Sequence, residues 1–185
     1  MLRSLLLSLT CAATAVFAAD TYPLDLAHTA ALFKADHLGF SWTYGRFNDV
    51  SGSITWDAAK PTNSKVDVKI KTETIDTGNA KKDEHLRSGD FFSVKEFPTM
   101  SFTSKSFEAK GDNLYHVTGD FELRGVKKPI TIPVTLMKVG KDPWGKDRIG
   151  FDTEFTIKRS DFGMNYMPDG IADEVTIIFA TEGVK

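Results

Sequence analysis

Apolar residues return at every second position over most of this chain. Val66, Val68 and Ile70 alternate with Asp67, Lys69 and Lys71, and Tyr115, Val117, Gly119, Phe121 and Leu123 alternate with polar partners. Ile130, Ile132, Val134 and Leu136 repeat the pattern. A period of two describes a strand with one face in a core and the other in water, so these segments predict half-buried antiparallel strands. Further strand-like runs cover 30–47, broken at Gly39 and Gly45, then 51–56, 101–107, 149–157 and 174–181, for about eight strands.

The pattern changes once. After Asn79, a good N-cap, residues 80–87 are mostly helix formers, Ser88-Gly89-Asp90 ends the run, and Pro98 precedes the alternating Met100, Phe102 and Ser104. One short helix among strands is therefore predicted, with Arg87 paired to a neighbouring acid to pin it on the sheet. The other connections are hairpin-sized turns: Lys60-Pro61-Thr62-Asn63, Lys110-Gly111-Asp112-Asn113, Asp142-Pro143-Trp144-Gly145 and Pro168-Asp169-Gly170. No linker or repeat divides the chain, so one meandering sheet is expected. A strongly twisted sheet of this size tends to curl shut, because closure removes its unpaired edges. Gly39, Gly45, Gly52 and Gly119 fit sharp bends in such a barrel.

The chain has 14 phenylalanines, and an eight-stranded barrel either fills its interior with side chains or holds one small elongated ligand. Periodicity does not separate the two cases. It also shows which residues share a face without showing which face points inward.

Composition narrows the chemistry. Arg3, an uncharged run of about 13 residues and the small-residue end at Ala18-Ala19 predict a secretory signal over 1–18, too short to span a bilayer. The mature domain is then 19–185, exported to the periplasm. The single cysteine, Cys11, lies in that leader, so the mature domain carries no thiol nucleophile, thiolate metal site or disulfide. Of 23 basic residues only Arg3 is in the leader, which leaves 22 against 25 acidic ones, a net charge of −3. No basic face for nucleic acid is called for.

The four histidines, His28, His37, His85 and His116, show no metal-binding spacing, and no nucleophile elbow, phosphate loop or dinucleotide fingerprint is present. No catalytic residue and no metal are assigned. His37 is in phase with Phe33 and Ala35 and reads either as a core histidine or as a ligand contact.

Several segments carry a resemblance. One is His85-Leu86-Arg87-Ser88-x-Asp90-Phe91-Phe92 followed by Phe97-Pro98-x-x-x-Phe102-x-Ser104; another is Phe33-x-x-x-His37-Leu38-Gly39-x-Ser41-x-x-x-Gly45-x-Phe47. Others are Gly119-Asp120-Phe121-x-Leu123-x-Gly125-Val126-x-Lys128-Pro129-Ile130, Arg159-Ser160-Asp161-Phe162-Gly163 and Asp173-Glu174-Val175-x-Ile177. In order and across almost all of the mature chain, these resemble the YceI-like family of secreted polyisoprenoid-binding proteins. Lys82 stands where that family often has arginine, and Arg124 occupies a variable hairpin position.

The resemblance implies an all-β fold: a single eight-stranded antiparallel, lipocalin-like barrel with a short helical segment on one side. It implies a hydrophobic tunnel holding a non-covalently bound isoprenoid lipid of the quinone or prenyl phosphate class, no other cofactor, no catalysis and, by analogy, a homodimer. The expected lining is Phe33, His37, Phe102, Phe121, Phe151, Phe155 and Phe179, one or more from each of several alternating strands. Arg159 and Asp161 are expected to form a structural pair with a possible headgroup contact. The competing readings are a lipid-modifying enzyme, for which His37, Asp161 or Asp152 would face the cavity, and a ligand-free structural stress protein.

Overall fold

The alternation closes into a barrel. The computed structural model describes residues 19–185, so the expected leader lies outside the described residues. Ten strands are formed: β1 (Asp20–His37), β2 (Ser41–Phe47), β3 (Val50–Trp56), β4 (Lys65–Lys71), β5 (Ile75–Asp76), β6 (Thr99–Gly111), β7 (Leu114–Leu123), β8 (Val126–Lys141), β9 (Asp147–Lys158) and β10 (Ile171–Val184). One helix, α1 (Ala80–Arg87), lies between β5 and β6. All pairings are antiparallel, in the order β10-β9-β8-β7-β6-β4-β3-β1-β2-β5, and β10 also pairs with β1. Eight strands, all but β2 and β5, make a closed ring.

β7 shows how the pattern becomes a wall, with Tyr115, Val117, Gly119, Phe121 and Leu123 buried and the residues between them partly exposed. Its inward side chains join those of β4, β6, β8 and β9 in one core. The first strand departs from the expected run over 30–47. β1 begins ten residues earlier, ends at His37 and reverses through Leu38-Gly39-Phe40 into β2. A hairpin thus replaces the expected bent strand, because Leu38 and Gly39 both take left-handed backbone (φ 57° and 71°) and the Asp36 carboxylate accepts the Gly39 N–H at 2.8 Å.

β1 serves two neighbours on one side. Residues Asp20–Pro23 pair with β3, whereas Ala31–His37 pair with β2. The barrel wall splits there, and β2 continues to β5 only through Arg46 and Phe47. α1 and the segment after it lie against β5 beside this split. Asn79 caps α1 by accepting the Lys82 N–H at 3.1 Å, as the sequence predicts. Arg87 pins the helix, but to backbone rather than to an acid: it donates to Glu73 O and Ile75 O, both at 2.7 Å. The buried Asp83 accepts the Thr77 N–H and hydroxyl at 2.8 and 2.7 Å. Arg124, at a position the resemblance marks as variable, reaches from the β7–β8 turn to the carbonyls of Gly89 and Phe91 and holds the chain after the helix.

Gly45 and Gly119 have a reason other than bending. A Cβ on Gly45 would lie 2.3 Å from the Phe33 ring, and one on Gly119 would lie 2.6 Å from the Phe102 ring. Each glycine is the cross-strand space in which an inward phenylalanine lies flat.

Candidate functional site: an apolar cavity with a polar mouth

The interior holds two chambers. The larger, about 510 Å³, lies at the end where β1 finishes and is bounded by β1, β2, α1, the chain after the helix and the loop before β10. The smaller, about 100 Å³, lies deeper among β3, β4 and β6–β10. Met100 and Phe121 border both, so these two side chains stand between the chambers.

Phe33 and His37 line the larger chamber; Phe102, Phe151, Phe155 and Phe179 line the smaller; Phe121 lines both. The inward face is therefore the phenylalanine face. Most of the selected rings sit around the small chamber, while the large one takes part of its wall from residues that periodicity does not single out. Phe91 and Phe92 follow the helix, Met164 and Tyr166 belong to the loop before β10, and Leu86 projects from α1. These segments have no period of two, so no alternation could have marked them. The one available signal was the apolar content of segments otherwise read as helix and turn.

His37 is an exposed mouth residue rather than a core histidine. Among the described residues its imidazole makes no hydrogen bond. Apart from the buried Arg159, the polar groups of the large chamber are grouped at this mouth: Asp36 and His37 from β1, Ser41 and Thr43 from β2, Lys82 and His85 from α1. His85 lies 2.9 Å from the Asp90 carboxylate and stacks edge-on against Phe91 and Tyr166, with ring centroids 5.1 and 5.0 Å apart. Lys82 enters no ion pair among the described residues. An ammonium without a carboxylate partner at the edge of an apolar chamber is a donor available to an acidic or carbonyl headgroup.

Arg159 and Asp161, expected as a pair, are not one. Arg159 is 5% exposed and borders the large chamber, but its guanidinium donates to the carbonyls of Met164 (2.8 Å), Ile171 (2.8 Å) and Ala172 (3.0 Å). It is spent on the loop that roofs the cavity, since carbonyls buried without a donor there would be costly. Asp161 points outward, lines neither chamber and pairs with Lys128 at 2.8 Å. Asp173 holds the same region from β10: it accepts the Ser160 N–H and hydroxyl at 2.9 and 2.8 Å, which lowers its pKa below the ordinary aspartate value. Asp152 is exposed on the outer face of β9.

The opposite end carries charge instead of a cavity. Arg148 donates to Asp25 at 2.7 Å and Glu182 at 2.6 Å, and lies 3.3 Å from Asp142. Asp25, His28 and Glu182 have the spacing of a metal site, yet the guanidinium already sits against both carboxylates. The donor set is satisfied by a built-in cation.

A closed antiparallel barrel with an apolar interior cavity, a polar mouth and a helix at a split in its wall defines a small intracavity binding fold. The YceI-like domain profile matches residues 22–183, and the chain belongs to the YceI-like family. It is 44% identical to a UPF0312 protein of Pseudomonas paraeruginosa over 158 residues, covering 85% of this chain and 82% of that one. Among solved structures it is similar to BcnA of Burkholderia cenocepacia, with a TM-score of 0.80, 27% identity, and coverage of 86% of this chain and 99% of the other. It also shares its fold with a polyisoprenoid binding domain from Saccharophagus degradans, at a TM-score of 0.69 and 17% identity over 89% of this chain and 98% of that one.

Proposed function

We propose that the protein is a periplasmic binding or carrier protein that sequesters a polyisoprenoid or similar amphiphilic lipid in its barrel. The observation that carries this reading is the chamber of about 510 Å³, walled mainly by apolar side chains, whose polar groups other than the carbonyl-bonded Arg159 gather at one mouth. That division matches a ligand with a long apolar body and a small polar end. Burial of the body at about 25 cal/mol per Å² supplies affinity without polar contacts, and a few mouth groups fix the direction of entry. The named specificity of the Saccharophagus degradans domain, which has this fold, supports the same ligand class. Lys82 and His85 are the headgroup contacts this reading favours, in place of Arg159 and Asp161. Of His37, Asp161 and Asp152, only His37 faces the cavity, and it has no acid or nucleophile bonded to it, which favours binding over turnover.

Native mass spectrometry of protein purified from the periplasm, followed by solvent extraction, tests this. An isoprenoid-mass adduct is expected in the wild type, with at least about a tenfold loss of adduct in Ala35→Trp, whose side chain would fill the large chamber. Quinones and prenyl pyrophosphates incubated with the protein are expected to be recovered unchanged by chromatography. Absence of any adduct, an adduct indifferent to Ala35→Trp, or turnover that vanishes in His37→Ala would overturn the reading.

A further inference from the structure

Two loops at the cavity mouth are apolar where turn chemistry favours polar residues. In the β1–β2 turn, Leu38 is 47% exposed and Phe40 88%, and Trp42 follows at 53%. In the loop before β10, Tyr166 and Met167 are 41% and 44% exposed. The two loops touch, since the Leu38 N–H donates to Gly170 O at 3.0 Å. Trp42, Tyr166 and Met167 also line the large chamber, so its apolar wall continues outward onto the surface without a polar break at these residues.

Backbone conformation adds an independent observation. Leu38 (φ 57°) and Met167 (φ 49°) both hold left-handed backbone, a conformation in which asparagine or glycine would sit at lower cost. Exposed apolar side chains at strained positions serve neither folding nor solubility, and such local conflicts mark function. Lysines stand at the same end: Lys81 and Lys82 are exposed on the first turn of α1, with Glu84 one turn on, and Lys34 lies 5.5 Å above the Trp42 ring and 3.8 Å from Glu154.

We infer that the rim formed by Leu38, Phe40, Trp42, Tyr166 and Met167 docks on an anionic lipid bilayer, with the cavity mouth facing the membrane. Tryptophan, tyrosine and phenylalanine side chains partition at a bilayer interface, and neighbouring lysines are drawn to anionic headgroups. The arrangement removes the main obstacle to transfer of a long apolar ligand, which would otherwise expose its body to water between bilayer and cavity. Trp144, 82% exposed, has no such setting: it sits in the β8–β9 turn, where its backbone N–H donates to the Asp142 carboxylate at 2.9 Å, and it lines neither chamber. The direction of transfer rests on the ligand reading given above; the docking itself does not.

Vesicle flotation of the purified protein, with vesicles of phosphatidylcholine alone or mixed with phosphatidylglycerol, decides the matter. Wild type is expected to float with both and more strongly with the anionic mixture. Phe40→Ser, which removes a free side chain that lines no chamber, is expected to lower the vesicle-bound fraction at least about fivefold. Trp144→Ser at the opposite end is expected to leave it unchanged, and Lys81→Glu to weaken only the anionic case. Adduct content read by native mass spectrometry on the same samples separates the two readings, because Phe40→Ser is expected to keep its ligand. The inference is overturned if wild type does not float, if Phe40→Ser floats as wild type does, or if Trp144→Ser is equally impaired. It is also overturned if Phe40→Ser changes only the oligomeric state, which would make the rim a contact between two copies of this chain.

Discussion

At the end of the barrel where β1 begins, Trp56 meets Tyr115 and Phe151 edge-on with ring centroids 5.4 and 5.7 Å apart, and Phe107 meets Tyr115 at 6.4 Å. At the end where β1 finishes, the same alternating strands border a cavity of about 510 Å³. Strand pattern cannot be the cause of this difference, because both ends share it. The split in the wall is the cause. Where β3 pairs with β1, large rings interlock, and the only chamber they border is the one of about 100 Å³; where β2 takes over, the wall diverges, and a helix with two loops encloses space that they do not fill. A barrel of one sequence thus behaves as a packed core at one end and a container at the other.

Trp56→Ala probes the packed end and carries the largest expected effect. Removing a buried ring from an interlocked cluster costs about 3–5 kcal/mol, read as a lowered urea midpoint. A loss below about 1 kcal/mol would show that this end is loosely packed too, and the contrast would fail.

Arg159→Met probes how the open end is held. The substitution keeps side-chain length but leaves three carbonyls without their donor, at an expected cost of about 2–3 kcal/mol. Limited proteolysis is expected to cut first within the loop before β10. If stability changes by less than about 0.5 kcal/mol and no new cleavage appears, the roof is held by packing rather than by these bonds.

The smallest effect concerns acid. Hydrogen bonds from Arg148, and then from His28, hold the Asp25 carboxyl below the ordinary aspartate value. A folded-state pKa below the unfolded one contributes stability that is present above about pH 4 and lost as pH falls through the depressed value. In Arg148→Met the neighbouring carboxylates lose their cation and repel one another, so the variant is less stable than wild type at pH 7. That gap is expected to narrow in urea titrations repeated at about pH 3.5, because the Asp25 carboxyl of the variant, no longer held low by Arg148, takes up its proton at higher pH than in wild type and the repulsion is relieved. A gap of constant size would show that Arg148 acts by packing alone, and the charged end would lose its electrostatic character.

Local chemistry was legible in the chain itself. The alternation of β4, β7 and β8, the helix with Asn79 at its cap, the turn after Lys110 and the all-β class follow from residue types a few positions apart, because pleat and cap geometry are set within that distance. The phenylalanines at 33, 102, 121, 151, 155 and 179 were legible as sharing faces, though not as belonging to two different chambers. What the tertiary structure alone decided involves partners far apart in sequence. The reversal after His37 moved that residue from core to mouth, Arg159 found the carbonyls of β10's lead-in instead of Asp161, and Arg124 found the chain after α1. A free volume has no residue of its own. It exists only where elements with no shared period, here β2, α1 and the loop before β10, stop short of meeting, so the cavity becomes visible only once those elements are in place.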